Sequence, residues 1–269
     1  MPELPEVETA RAAIERSALG RIVADVDDSD SFVCRPHAPG EIRSALVGHR
    51  LVAARRRGKS MWCETDGGPL LGLHLGMAGR IVVTPPAGTD AEPDAGGDYW
   101  GDGPTRPGAT AWYRFTLHFE DGGALRLHDK RRLGRVRLDP DLDALGPDAE
   151  EIDRAEFRRR VGRGRAPLKA RLLDQSALAG VGNLLADETL WRSALDPRRT
   201  VDTLTTEDLD LLRRELRAAI RSAVRYGGVH TGEIIEHRRP GGRCPRCGAE
   251  MVRGTVGGRT TWWCATEQR

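Results

Sequence analysis

Met1-Pro2-Glu3-Leu4-Pro5-Glu6-Val7-Glu8-Thr9 opens the chain, and Ala12, Ala13 and Ile14 follow it. Leu4, Val7 and Ile14 fall on one helical face, so a helix beginning near Pro5 is expected. A proline near a helix start and acids in its first turn are ordinary stabilising features. The same residues also carry a chemical reading. Pro2 is small enough to favour removal of Met1, which leaves a secondary amine titrating near the α-amino range of about 7.7–8.0, against about 10.4 for a lysine. A useful neutral fraction then exists at neutral pH without burial. Attack of that amine on an aldehydic sugar carbon gives an iminium cation directly, an electron sink that acidifies the neighbouring C2′ hydrogen and drives strand-cleaving elimination. Glu3 and Glu6 are the candidates to handle protons at the sugar ring oxygen and the departing base.

Beyond this opening, short alternating or apolar runs recur at Arg21 to Val26, Arg50 to Ala54, Met61 to Glu64, Leu70 to Leu75, Arg80 to Val83, Trp112 to Phe119 and Ala124 to His128. Asp-Gly and Gly-Gly steps punctuate them, as in an all-β unit. Thr84 to Ala109 is crowded with Pro, Gly and Asp and has no periodicity, which reads as a long surface loop. From Asp139 onward the pattern turns helical, at Asp153 to Val161, Pro167 to Gln175, Asn183 to Ser193 and Thr206 to Tyr226. A β-rich half followed by a helical half implies an α+β chain of separate domains, drawn at 1–138 and 139–236. The remainder, 237–269, has too few apolar residues for a core of its own.

That tail contains Cys244-Pro245-Arg246-Cys247, then Met251 to Val256, Gly257-Gly258, and Arg259 to Trp263 leading into Cys264. The Gly-Gly pair between two strand-like runs marks a tight hairpin. A Cys-x-x-Cys pair with a third cysteine beyond the hairpin is a zinc-ribbon pattern. Five cysteines are an odd number, which argues against a disulfide framework.

Forty-two Lys and Arg against forty Asp and Glu give a net charge of only +2, so bulk charge does not announce a polyanionic partner. Lys59, Lys130 and Lys169 are the only lysines; the other basic residues are arginines, so the scarce lysines are the more informative. No apolar run approaches the ~20 residues of a membrane span, and no basic, apolar, cleavable leader is seen. A soluble cytoplasmic protein is the expectation. Ala179-Gly180-Val181-Gly182-Asn183 lies between two helical stretches. Its glycines allow backbone N–H groups to approach a phosphate, and Asn183 is expected to cap the following helix.

The opening nonapeptide resembles that of the formamidopyrimidine-DNA glycosylase and endonuclease VIII family, on the formamidopyrimidine side. The glycine turn resembles the helix-two-turns-helix signature of the same family, and the resemblance covers nearly the whole chain. It implies an N-terminal helix on a two-sheet antiparallel β-sandwich, a helix-two-turns-helix domain and a C-terminal zinc-finger-like hairpin. The implied protein is a monomer that holds damaged double-stranded DNA in its cleft, excises oxidised bases through a Pro2 Schiff base, and completes β- and δ-elimination.

Residue by residue, the resemblance assigns Lys59, in Arg57-Gly58-Lys59, to active-site phosphates and the surroundings of the amine. His74-Leu75-Gly76-Met77 resembles the loop whose methionine wedges into the stack that a flipped base vacates, a step that needs an apolar plug. In Asp129-Lys130-Arg131-Arg132-Leu133, Arg131 would face the orphaned base, Arg132 a phosphate, and Leu133 would intercalate where many members carry an aromatic. Lys169 matches a lysine near the DNA backbone, and Arg259 a finger arginine on the damaged nucleotide's phosphates that assists the second elimination. Many family fingers use four cysteines. Here the position three residues beyond Cys264 is Glu267, so Glu267, His237 or a water would join Cys244, Cys247 and Cys264 around one zinc ion.

The stretch from Gly227-Gly228 to Cys244 is short beside that of many members acting on 8-oxoguanine, which shifts weight toward formamidopyrimidines or oxidised pyrimidines. A non-catalytic damaged-DNA binding protein is the alternative, and intact Pro2, Glu3, Glu6 and Lys59 argue against it. A zinc-ribbon transcription accessory protein finds no support upstream of the tail.

Overall fold

The computed structural model describes residues 2–98 and 109–269. Met1 and residues 99–108, part of the loop expected over Thr84 to Ala109, lie outside the described residues. Two compact units partition the chain. One comprises Pro2 with Glu6–Leu142, the other Glu3–Pro5 with Asp143–Arg269.

The first unit carries most of helix α1 (Leu4–Ser17), strand β1 (Val23–Asp27), the short helix α2 (Glu41–Leu46), and strands β2 (Leu51–Arg57), β3 (Ser60–Thr65), β4 (Leu71–His74), β5 (Arg80–Thr84), β6 (Asp94–Gly97), β7 (Tyr113–Phe119), β8 (Ala124–His128) and β9 (Arg135–Leu138). They form two antiparallel sheets, ordered β1-β7-β8-β5-β6 and β2-β3-β4-β9. Val7, Ile14, Leu51, Met61, Leu73, Phe115 and Leu127 meet in one buried core, as in the two-sheet sandwich that the family resemblance implies. The loop reading over Thr84 to Ala109 needs correction, because it contains β6. This strand has one apolar side chain, Ala95, too little to give a periodic signal. It seats on α1 through Gly96, where a Cβ would stand 2.2 Å from the Thr9 carbonyl oxygen.

In the second unit, helix α3 (Arg154–Val161) is capped by Asp153, whose carboxylate accepts the Glu156 N–H at 2.9 Å. Helices α4 (Leu168–Leu173) and α5 (Asn183–Arg192) follow. Helix α6 (Thr206–Tyr226) opens with a Thr205/Asp208 capping box and stops at Gly227, whose φ of 95° is the left-handed conformation of a helix C-terminus. Leu4, Phe157, Leu168, Leu185, Leu212 and Leu216 share the core of these helices. Strands β10 (Val252–Val256) and β11 (Arg259–Trp263) form the hairpin, turned by Gly257 and Gly258 at φ 59° and 72°. Two consecutive positive φ values require glycine-like residues, as the Gly-Gly pair predicts. Trp191 of α5 packs with Ile234, Met251, Trp262 and two of the tail's cysteines, so the tail draws its core from a neighbouring helix. Among the described residues no helix is long and apolar enough to cross a membrane.

Candidate active site

Glu3 is buried, and its carboxylate serves as the anion at the N-terminus of α5. Oε2 accepts the N–H groups of Gly182 and Leu185, each at 3.0 Å, and Oε1 accepts that of Leu184 at 2.9 Å. The first N–H groups of a helix lack intrahelical partners and carry the positive end of its dipole, so a carboxylate there is held by both hydrogen bonds and field. The Leu4 N–H donates to the Gly180 carbonyl at 3.1 Å and fixes the chain beside it. Gly182 allows this approach, because a Cβ there would lie 2.2 Å from the Glu3 carboxyl carbon. The capping role expected of Asn183 is therefore corrected. Its Nδ2 donates to the Thr260 carbonyl at 3.1 Å, and no side chain caps α5 from the adjoining residue. Its Oδ1 is buried without a hydrogen-bond partner among the described residues.

Lys169 is also placed differently from a surface lysine on a DNA backbone. It is fully buried, with Nζ 2.7 Å from Asp187 Oδ1, 2.8 Å from Thr261 Oγ1 and 3.2 Å from the Thr260 carbonyl. Burial holds its pKa below the ordinary lysine value, and the nearby Asp187 carboxylate opposes that shift. Asp187, itself buried, further accepts from Arg238 Nε at 2.9 Å and from the Trp262 N–H at 3.3 Å. Lys169 and Asp187 thus tie α4 and α5 to the β11 backbone next to exposed Arg259. The lysine thereby fastens the strand that carries this arginine.

In the first unit, Pro2 and Glu6 are buried, Glu6 in the first turn of α1. Lys59 occupies the turn joining β2 to β3 and is half-buried. The two predicted wedge loops meet: Gly76, at φ 61°, lies so close to the second loop that a Cβ would stand 2.4 Å from the Leu133 carbonyl carbon. Asp129 is fully buried and shapes that second loop by accepting the N–H groups of Arg131 at 3.0 Å and Gly134 at 2.6 Å. Met77 is 39% exposed, Arg131 exposed and Leu133 half-buried. Arg132 is exposed, but its guanidinium forms a two-point pair with Asp30 at 2.8 and 3.0 Å. His74 Nδ1 accepts the Gly76 N–H at 3.1 Å, which needs the unprotonated nitrogen. Its pKa is pushed down by desolvation first and then by the positive charges of Lys59 and Arg137, in keeping with that role.

The sulfur atoms of Cys244, Cys247 and Cys264 all lie within 4.8 Å of one another. Three converging thiolate donors suit a tetrahedral zinc ion. Trp191 Nε1 donates to Cys244 Sγ at 3.4 Å, the outer hydrogen bond that orients a metal-binding thiolate. Glu267 is half-buried and does not belong to this close group, and His237 Nε2 lies instead 3.2 Å from Glu236 Oε1. Cys34 and Cys63 stand apart, their thiols pushed up to about 12 by burial, and neither suits ligation or nucleophilic work. Metal analysis of the purified protein is expected to return about one zinc per chain, and a content well below that would remove zinc from the finger.

Residues 1–136 match the formamidopyrimidine-DNA glycosylase N-terminal domain, and residues 144–233 match the H2TH domain of the same enzymes. The chain belongs to the formamidopyrimidine-DNA glycosylase family. Formamidopyrimidine-DNA glycosylases of Nocardioides sp. and Roseiflexus sp. are each 33% identical to it, over 98% and 100% of this chain and 93% and 100% of their own. Among solved structures, Fpg of Lactococcus lactis in complex with DNA containing an abasic site superposes with a TM-score of 0.79 at 25% identity, covering 99% of each chain. The Thermus thermophilus Fpg superposes at 0.76 with 32% identity, over 99% of this chain and 98% of that one. As a member of this family the chain is a DNA glycosylase and abasic-site lyase of DNA repair.

Sequence reasoning missed Asp187, Arg238 and Asp129, all partners of candidate residues. Asp129 carried a signal, since an aspartate before a tight turn accepts backbone N–H groups a few residues on. Nothing in spacing links Lys169 to Asp187 and Arg238.

Proposed function

We propose that the chain excises oxidised bases from duplex DNA, with the amine of Pro2, freed by removal of Met1, as the Schiff-base nucleophile. The observation that carries this reading is the Glu3 carboxylate, held by three backbone N–H groups in the position next to Pro2 in the chain. A carboxylate so fixed costs little reorganisation when it exchanges a proton with the sugar or the leaving base. Glu6 is the second acid in this scheme. The covalent step forms a C1′–N bond as the glycosidic bond to the base breaks, and opening of the sugar at C1′–O4′, with a proton going to O4′, gives the iminium. The resulting iminium accepts the electron pair left when the C2′ proton departs, which expels the 3′ phosphate, and a second elimination expels the 5′ phosphate.

Lys59, Arg132 and Arg259 are the proposed phosphate contacts, with Arg132 exchanging its Asp30 partner for phosphate. Met77, Arg131 and Leu133 fill the gap left by the flipped nucleotide, with His74 bracing the Met77 loop and Asn183 and Lys169 the hairpin. Cys244, Cys247 and Cys264 would hold a zinc ion whose role is to stiffen the hairpin beneath Arg259, with a water, or Glu267 after a shift of its side chain, as fourth ligand. The short Gly227 to Cys244 stretch favours formamidopyrimidines or oxidised pyrimidines over 8-oxoguanine.

Borohydride reduction during incubation with duplex containing an abasic site is expected to leave a protein–DNA adduct at the N-terminal residue. Chemical blocking of the N-terminal amine is expected to abolish the adduct. An unblocked protein that traps nothing would leave a damaged-DNA binder instead.

A further inference from the structure

One exposed face of the second unit has no place in the chemistry above. Arg213, Arg217 and Arg221 recur at four-residue steps on α6 and, with Arg154 and Arg214, line a groove of about 410 Å³. Asp210 is its one acid, already engaged by Arg158 at 2.5 Å and by Arg154 at 3.8 Å. Among the described residues Arg213, Arg217 and Arg221 form no ion pair. Like charges four residues apart destabilise a helix, so a ladder of them opposes the helix that carries it.

Two further observations distinguish this face from solvated charge. Arg217 Nε is buried without an acceptor, a donor left over in a groove lined mainly by arginines. Arg213 is anchored through Nε to the Ile152 carbonyl at 2.9 Å, and its pKa is lowered, first by burial and then by the nearby Arg217 and Arg154 charges. Anchored, crowded guanidinium groups are preorganised for an anion that relieves their repulsion. At 1.5 Å rise per residue the ladder repeats about every 6 Å. Phosphates of one strand recur each ~3.4 Å of duplex axis, so the ladder can meet roughly every second phosphate.

We propose that the α6 arginine ladder is a second, sequence-independent contact for the phosphate backbone of undamaged duplex DNA, separate from the residues that act on the lesion. It rests on the reading of the chain as a DNA-acting enzyme. It would add affinity during search without entering the chemical step.

The test is binding of an undamaged duplex across a potassium chloride series. Each phosphate neutralised contributes about 0.9 to the magnitude of the logarithmic salt slope, so Arg217→Gln/Arg221→Gln is expected to lower it by about 1.8 and to weaken low-salt binding about tenfold or more. Single-turnover cleavage of a lesion duplex at saturating enzyme is expected to stay unchanged. Arg43→Gln/Arg55→Gln, which removes the same charge from the first unit, is expected to change the slope much less. An unchanged slope in the folded α6 variant, or an equal fall in the control, would overturn the proposal. A parent protein that shows the α6-dependent slope and cleaves no lesion would defeat the glycosylase reading while the ladder stands.

Discussion

Gly182→Ala is expected to reduce base excision by at least about a hundredfold while the chain remains folded, the scale of loss when a general acid–base group is displaced. Gly182 has φ −117° and ψ −167°, an extended conformation open to alanine, so backbone strain plays no part. The effect is steric and local. The new Cβ would stand 2.2 Å from Glu3 Cδ and 2.5 Å from Oε1, and the carboxylate must leave the end of α5. Leaving buried donors unpaired costs about 1–3 kcal/mol, which a thermal melt reads as a moderate loss. Single-turnover excision on a lesion duplex measures the catalytic part. Strand cleavage at a preformed abasic site, where the base has already left, should suffer less. If Gly182 acts through Glu3, Gly182→Ala adds little to Glu3→Gln, because the two substitutions remove one interaction. Activity within a few-fold of the parent, or fully additive losses, would disconnect the glycine from the carboxylate.

This prediction also marks where sequence reasoning ended. The alternating runs placed seven of the nine strands of the first unit, and helical patterning placed α3 and α6, because those signals are local. The glycine turn was legible as an anion site for the same reason: glycines before a helix expose N–H groups wherever they occur. Which anion fills it depends on Glu3 lying beside residues far along the chain, and periodicity carries no information about that distance. Lys169 shows the same limit, since rarity singled it out but only tertiary packing puts it in the core. Strand β6 was lost for a different reason. Asp94-Ala95-Gly96-Gly97 has too few side chains to show an alternation, and its pairing with β5 rests on backbone hydrogen bonds and the close seat against Thr9.

The buried charges around the hairpin predict the largest stability effect. Asp187→Ala is expected to destabilise the protein by about 3–5 kcal/mol, because removing one member of a buried ion network leaves its partners charged and dry. Here two cations lose their shared carboxylate, Lys169 at 2.7 Å and Arg238 at 2.8 Å. Lys169→Met should cost less: Asp187 retains Arg238, and the methionine fills much of the lysine's volume without a charge to desolvate. The order of the two melting temperatures is therefore the informative result. Equal losses would mean that the residues contribute by packing alone. Because the group is buried, added salt should change the gap between the variants little, whereas an exposed network would be screened. The same substitutions should reach the chemistry through Arg259, which follows directly from the hairpin backbone that Lys169 holds. A loosened hairpin is expected to slow the second elimination more than the first, raising the share of β- over δ-elimination ends at equal total cleavage.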